Sequence, residues 1–179
     1  MGGSYMKRVM IFIDGSNMYH NLMSSFGKAS LDFRAFSLKL TGENRELVRT
    51  YYYNCPVDQY SNPVSYREQA KFFAILRKTD DLELRLGRLQ RRLDGRTIEK
   101  GIDVKLAVDI LTKAYKNQYD VAILISGDAD FSQVVQEVKD MAKHVELAVF
   151  PNQRCFHLRT VADRILELNE EFMKDCWIS

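Results

Sequence analysis

The chain has 179 residues, 46% of them hydrophobic, with 26 Lys and Arg against 24 Asp and Glu for a formal net charge of +2. That length suits one domain around one core, and so slight a charge excess assigns no polyanionic partner by itself. Three cysteines, Cys55, Cys155 and Cys176, are an odd count without CxxC spacing, which excludes a disulfide framework or cysteine zinc site as the expected scaffold and favours a reducing, cytoplasmic setting.

Residues 1–5, MGGSY, read as a leader placed before a natural start at Met6, leaving 6–179 as a single domain. The first apolar run, RVMIFI (8–13), is too short for a signal core or a membrane span and stops at Asp14, so no membrane partner is expected. That run and VAILI (121–125) are almost continuously apolar, as central strands covered on both faces must be. ELVRTYYYN (46–54), LELRLGRL (82–89) and VELAVF (145–150) add strands, and RILEL (164–168) adds an edge. LELRL alternates Leu82, Leu84 and Leu86 with Glu83 and Arg85, which gives it one wet face and a place near a sheet edge. Helical spacing falls at 15–25, 32–40, 63–78, 101–116, 130–143 and 157–162; in 130–143 the residues Phe131, Val134, Val135, Val138 and Met141 form one stripe. The longest irregular stretch, 54–65, reads as a loop. Strands alternating with helices predict an α/β fold with a central, mostly parallel sheet of five or six strands.

In such a sheet, sites lie beyond the carboxyl ends of the strands, where strand order reverses. Asp14 directly follows the first strand in IDGSNMY, and Asp128 and Asp130 follow VAILI in SGDADF. Asp103 sits in the first turn of the helix predicted in EKGIDVKLAVDILTKAY, where Ile102, Leu106 and Ile110 aim it along the edge of the buried face. Two carboxylates about 5 Å apart repel by roughly 3 kcal/mol at an effective dielectric near 20, and a cation relieves that repulsion. Hard ions such as Mg²⁺ or Mn²⁺ take carboxylate, water and phosphate oxygens. Once bound they lower the pKa of a coordinated water and stabilise charge on a phosphoryl group, so phosphodiester hydrolysis is the natural chemistry. Asn17 is expected to orient Asp14 or a substrate oxygen, and Ser126 to bond a metal-bound water or phosphate.

Each acid also has an ordinary structural role. Asp130 with Gln133 three positions on is a capping-box arrangement, and on its own Asp130 reads as a cap. Asp14 fits a turn or cap, and Asp103 is favoured in a first helical turn by the helix dipole. These readings weaken only jointly, because all the acids fall at one sheet edge. Asp109, four residues from both Lys105 and Lys113, reads as an ion-paired surface residue on a different face.

Between 85 and 101, Arg88, Arg91, Arg92, Arg96 and Lys100 lead into the helix that carries Asp103. Arg88, Arg92 and Lys100 are the candidates to hold a phosphate backbone, with a solvated hairpin as the ordinary reading of the same stretch. Tyr51, Tyr52 and Tyr53 fit a packed strand better than a base-stacking platform. No GxGxxG follows the first strand, and GxxxxGK[ST], HExxH and GxSxG are absent, which removes support for dinucleotide, P-loop, zincin and serine-hydrolase readings. His20, His144 and His157 lack metal-ligand spacing.

IFIDGSNMY, EKGIDVKLAVDIL and LISGDADFSQVV, in that order and spacing, resemble the three signature blocks of NYN domains, in particular the LabA-like branch of the PIN-like nuclease superfamily. The resemblance runs from Lys7 to Asn169, and the tail HLRTVADRILELN is similar to the family's closing helix and strand. It implies a three-layer α/β/α PIN-like fold and a Mg²⁺- or Mn²⁺-dependent ribonuclease activity. Carried over by residue, Asp14, Asp103, Asp128 and Asp130 would be the catalytic, metal-binding acids, with Asn17 and Ser126 as polar support; an acid at Asp109 also recurs. RNA is the implied partner, the residues do not exclude DNA, and a homodimer is allowed. Two other readings stay open: a nucleic-acid-binding regulatory module with little or no turnover, and a phosphatase acting on small phosphoesters.

Overall fold

The computed structural model describes residues 5–95 and 97–178, so residues 1–4 of the expected leader and Arg96 of the basic run lie outside the described residues. Its elements are β1 (Lys7–Asp14), α1 (Gly15–Phe26), α2 (Phe33–Thr41), β2 (Arg45–Asn54), α3 (Pro63–Lys78), β3 (Leu82–Leu86), β4 (Arg88–Arg91), β5 (Thr97–Lys100), α4 (Ile102–Tyr115), β6 (Val121–Ile125), α5 (Ser132–Asp140), β7 (His144–Val149), α6 (Phe156–Val161), β8 (Arg164–Glu167) and α7 (Glu170–Met173). Six strands form a parallel sheet in the order β3-β2-β1-β6-β7-β8. Strand order therefore reverses between β1 and β6, and the loops leaving those two strands diverge at the crevice where α/β folds build sites.

Side-chain alternation divides the core into two layers. Val9, Ile11 and Ile13 of β1 and Val121, Ile123 and Ile125 of β6 pack under α1, α2, α3 and α7, with Met18, Phe36, Leu76 and Met173 as fully buried partners. Met10, Phe12, Ala122 and Leu124 face α4, α5 and α6 through Leu106, Ile110, Val138 and Leu158. Both faces of β1 and β6 are covered, which explains their unbroken apolar runs. The fold is thus the three-layer α/β/α arrangement expected from the sequence. Among the described residues, no helix is long and apolar enough to cross a membrane.

Two segments differ from their sequence reading. The stretch 82–89 is not one strand: it breaks at Gly87, after which β4 pairs antiparallel with β5 as a separate hairpin, Arg88 opposite Lys100 and Arg91 opposite Thr97. A side chain at Gly87 would meet Ile102 and the Lys100 carbonyl at 2.8 Å, so the chain can turn out of the sheet there only without one. The expected helix 130–143 is a short 3-10 turn, Ala129–Phe131, running into the shorter α5.

Candidate active site

The site is assembled from four chain segments at the carboxyl edge of the sheet. Asp14 is the last residue of β1 and caps α1, its Oδ1 accepting from the Asn17 N–H at 3.1 Å. It can sit so close to β2 because Gly15 follows it: a Cβ there would lie 2.4 Å from the Tyr52 ring and 2.6 Å from the Tyr53 carbonyl oxygen. Ser126 ends the opposite side of the crevice, fully buried. Its hydroxyl donates to Asp14 Oδ2 at 3.1 Å and accepts from the Asp128 N–H at 3.2 Å. One hydroxyl thereby fixes the acid after β1 relative to the acid after β6. Asn17 makes a second tie, its Oδ1 accepting from the Gly127 N–H at 3.1 Å and from Gln153 Nε2 at 3.0 Å. Gln153, in the loop after β7, thus joins a third strand end to the crevice.

Asp128 caps the 3-10 turn by accepting from the Asp130 N–H at 2.9 Å. Asp103 stands in the first turn of α4, which begins after Gly101 at φ 87°. That left-handed conformation would cost a side-chain-bearing residue about 1–2 kcal/mol, and it swings the chain from the hairpin into α4. The four acids share one electrostatic neighbourhood. Burial pushes the Asp14 carboxyl above its usual range, hydrogen bonds from Asn17 and Ser126 pull it back, and repulsion from Asp103 and Asp128 adds to the rise. Partial desolvation raises Asp103, followed by repulsion from Asp128 and Asp130. Among the described residues, none of these acids has a lysine, arginine or histidine at ion-pair distance.

A fifth carboxylate belongs to the same field. Glu99 of β5 is raised by desolvation and then by repulsion from Asp14 and Asp103, with His20 pulling the other way. Sequence reasoning missed it because it lies inside the arginine-rich stretch; the signal available was its position two residues before the glycine entry to α4. Gln153 carried no motif at all.

Several assignments change. Ser126 does not face substrate: with no exposure and its hydroxyl engaged with both acid segments, it positions Asp14 and Asp128. Asp130 is not the cap; Asp128 accepts that bond, and α5 itself, with Phe131 at its N-cap position, has no side-chain cap. Arg88 and Lys100 face each other across the hairpin, and strand alternation puts them on the side opposite Glu99, while Arg92 is exposed beyond the end of β4. Arg88 and Lys100 therefore do not point at the acids. Asp109 is paired as expected but with different partners: Tyr53 Oη donates to it at 2.8 Å and Arg85 lies at 3.8 Å, making it an inter-layer contact rather than a surface pair with Lys105 or Lys113. The three tyrosines of β2 are packed core residues.

An all-carboxylate donor set with no internal counter-charge fits a hard divalent cation by chemistry. As the side chains stand, however, no three His, Cys, Asp or Glu groups among the described residues are gathered tightly enough to hold one.

The NYN domain pattern matches residues 8–169 of this chain. The chain is 25% identical over 168 residues to the Low amplitude and bright protein LabA of Synechococcus elongatus, spanning 91% of this chain and 84% of that one. It also superposes on the crystal structure of a Vibrio parahaemolyticus protein of unknown function, VPA0982, with a TM-score of 0.77 and 24% identity, covering 96% and 99% of the two chains. That likeness shows the fold.

Proposed function

This chain belongs to the NYN domain family, a branch of the PIN-like nucleases, which typically use divalent metals, and from that premise we propose that it is a Mg²⁺- or Mn²⁺-dependent ribonuclease cutting RNA phosphodiester bonds at the crevice between β1 and β6. The observation that carries this reading is the shared field of Asp14, Asp103, Asp128 and Asp130, four carboxylates at the strand-order reversal with no lysine, arginine or histidine among the described residues at ion-pair distance. Asp14 and Asp103, raised by burial and then by repulsion from their acidic neighbours, are the kind of perturbed carboxylate that functional sites use. Asp14, Asp103 and Asp128 would hold the ion, with Asp130 completing its surroundings. When bound, such an ion supplies an activated water and stabilises the charge of phosphoryl transfer.

The protein's own groups do the rest. Ser126 and the Asn17 N–H keep Asp14 in one orientation, so the buried acid needs no rearrangement to act. Asn17 Nδ2, which bonds no other described residue, donates to a substrate oxygen. Arg88 and Lys100 hold phosphates of a strand passing over the outer face of the hairpin, and Arg92 adds to this at its tip. Purified protein with Mn²⁺ should cleave RNA, and Asp128→Asn should lose at least about 100-fold of that rate while keeping its circular-dichroism spectrum; cleavage undiminished by the substitution overturns the proposal.

A second reading has one observation in its favour, the absence among the described residues of a preassembled ion-holding triad. On it, the chain binds nucleic acid without turnover. Salt-dependent RNA binding with no cleavage in Mg²⁺, Mn²⁺ or Co²⁺ would select it.

A further inference from the structure

Outside the acidic crevice, the loop between β2 and α3 and the β4–β5 hairpin enclose a groove of about 570 Å³ lined by Asp58, Tyr60, Ser61, Arg91, Gly95 and Thr97. We infer that this groove is a stacking site for one base of a single-stranded nucleic acid, with the Tyr60 ring as its platform. The inference rests on the proposed nuclease reading for the kind of ligand and names the form in which that ligand arrives.

Tyr60 is 81% exposed, yet the loop that carries it is tightly held. Asp58 accepts from the Tyr60 N–H at 3.0 Å through Oδ1 and from Thr97 Oγ1 at 3.0 Å through Oδ2, bolting the loop to the hairpin. From the other side Gln69 of α3 accepts from the Val57 N–H at 2.7 Å and donates to the Cys55 carbonyl at 3.0 Å. The backbone under the exposed ring is therefore ordered before any ligand arrives, and stacking on it carries little entropic cost. The Arg91 guanidinium lies 5.3 Å from the ring centroid, close enough for a cation–π contact, and still leaves most of the ring open.

Charge points to a base rather than a phosphate. Arg91 is offset by Asp58, 3.8 Å away, so the groove offers a phosphate little net attraction while Tyr60, Arg91 and the Thr97 and Ser61 hydroxyls suit a flat, polar-edged ring. Arg91 and Thr97 share the hairpin face of Glu99, and Thr97 is two residues from Glu99 along β5, roughly 7 Å in an extended strand. A base seated on Tyr60 thus belongs to the same strand that reaches the acids. In a duplex each base is already stacked on both faces, so only an unpaired strand can use the platform.

Fluorescence anisotropy with a labelled 12-nucleotide oligouridylate, the matching oligothymidylate and a blunt RNA duplex, all in EDTA, tests this. Tyr60→Ala should weaken single-strand binding roughly 5- to 100-fold, Tyr60→Phe and Tyr60→Trp should stay within about twofold, and the salt dependence should keep its slope because no phosphate contact is lost. A loss on RNA alone, or on RNA and DNA alike, supports the site. Binding by Tyr60→Ala equal to the unmodified protein, an equal loss in Tyr60→Phe, or duplex binding as tight as single-strand binding overturns it. Cleavage in Mn²⁺ is read separately. If the unmodified protein and Tyr60→Ala bind and cut alike, the stacking site falls and the nuclease stands. Tyr60-dependent binding with no cleavage by the unmodified protein sinks the nuclease and keeps the stacking site.

Discussion

The two ends of the parallel sheet treat the same side chain in opposite ways. At the amino edge, Arg8 meets Asp120 at 3.0 Å and its hydrogen bonds draw that carboxyl down to about 2, with Tyr5, from the end of the expected leader, donating to it as well. Glu146, fully buried, is gripped by Arg45 at 2.9 and 3.1 Å, with His144 at 3.3 Å and Arg164 at 3.7 Å. Asp163 is lowered despite desolvation, because the Val145 N–H and Lys139 bond it. At the carboxyl edge Asp14, Asp103 and Glu99 are all raised. Among the described residues, lysine and arginine pair these amino-edge carboxylates and leave the crevice acids Asp14, Asp103, Asp128 and Asp130 without an ion pair. Carboxylates that hold the amino edge together are neutralised within the protein, whereas those in the crevice repel one another, which is the repulsion the proposed cation would relieve.

The largest effect should come from breaking the paired edge. Arg45→Met leaves Glu146 buried with only its weaker partners and should cost about 3 kcal/mol, read as a lowered urea midpoint; a change below about 1 kcal/mol would mean that His144 and Arg164 suffice. The unpaired edge should respond to what it lacks. Mn²⁺ at 100 times its dissociation constant should stabilise the fold by about 2.7 kcal/mol in a thermal melt, an increment that Asp14→Asn removes. Equal stabilisation of both proteins would place the ion elsewhere. Ser126→Ala sharpens the comparison within the crevice, since it deletes the one hydroxyl joining Asp14 to the Asp128 N–H. It should cost about 1–2 kcal/mol and reduce cleavage about tenfold or more, whereas a merely space-filling serine would lose stability and keep its rate.

The sequence made the edges visible to different degrees. The central strands and the acids that follow them were legible because hydrophobic period and strand-end position are local properties. The amino-edge pairs were not: Arg45 and Glu146 lie 101 residues apart, and only the sheet order brings them together. Roles within the crevice were obscured for the same reason. Whether the Ser126 hydroxyl faces substrate or bridges two acids depends on a loop contact, and whether Asp128 or Asp130 caps depends on a 3-10 turn that helical periodicity does not distinguish. The arginine-rich stretch reads from sequence as a phosphate-holding element or a solvated hairpin; it is a hairpin, and its strand alternation, visible only once β4 and β5 are paired, separates Arg88 and Lys100 from Glu99.

The smallest effect tests the contrast most directly. A carboxyl whose folded pKa is raised holds its proton more tightly in the folded than in the unfolded chain, so its contribution to stability falls as pH rises from the ordinary carboxylate value, about 4, through the folded value. Asp120 works the other way: its stabilisation is complete above the ordinary carboxylate value and is lost as pH falls toward about 2. Asp103→Asn removes one of the raised carboxylates without removing a capping bond. Because Asp103 is largely exposed, solvent screening limits the gain to about 1 kcal/mol or less, roughly 2–4 °C in melting temperature for a chain of this size, alongside loss of cleavage. The gain belongs to the ionised form, so it should be present at pH 7 without metal and vanish at pH 3. A gain that persists at pH 3 would come from helix propensity or packing, and the repulsion attributed to the crevice would lose its thermodynamic support.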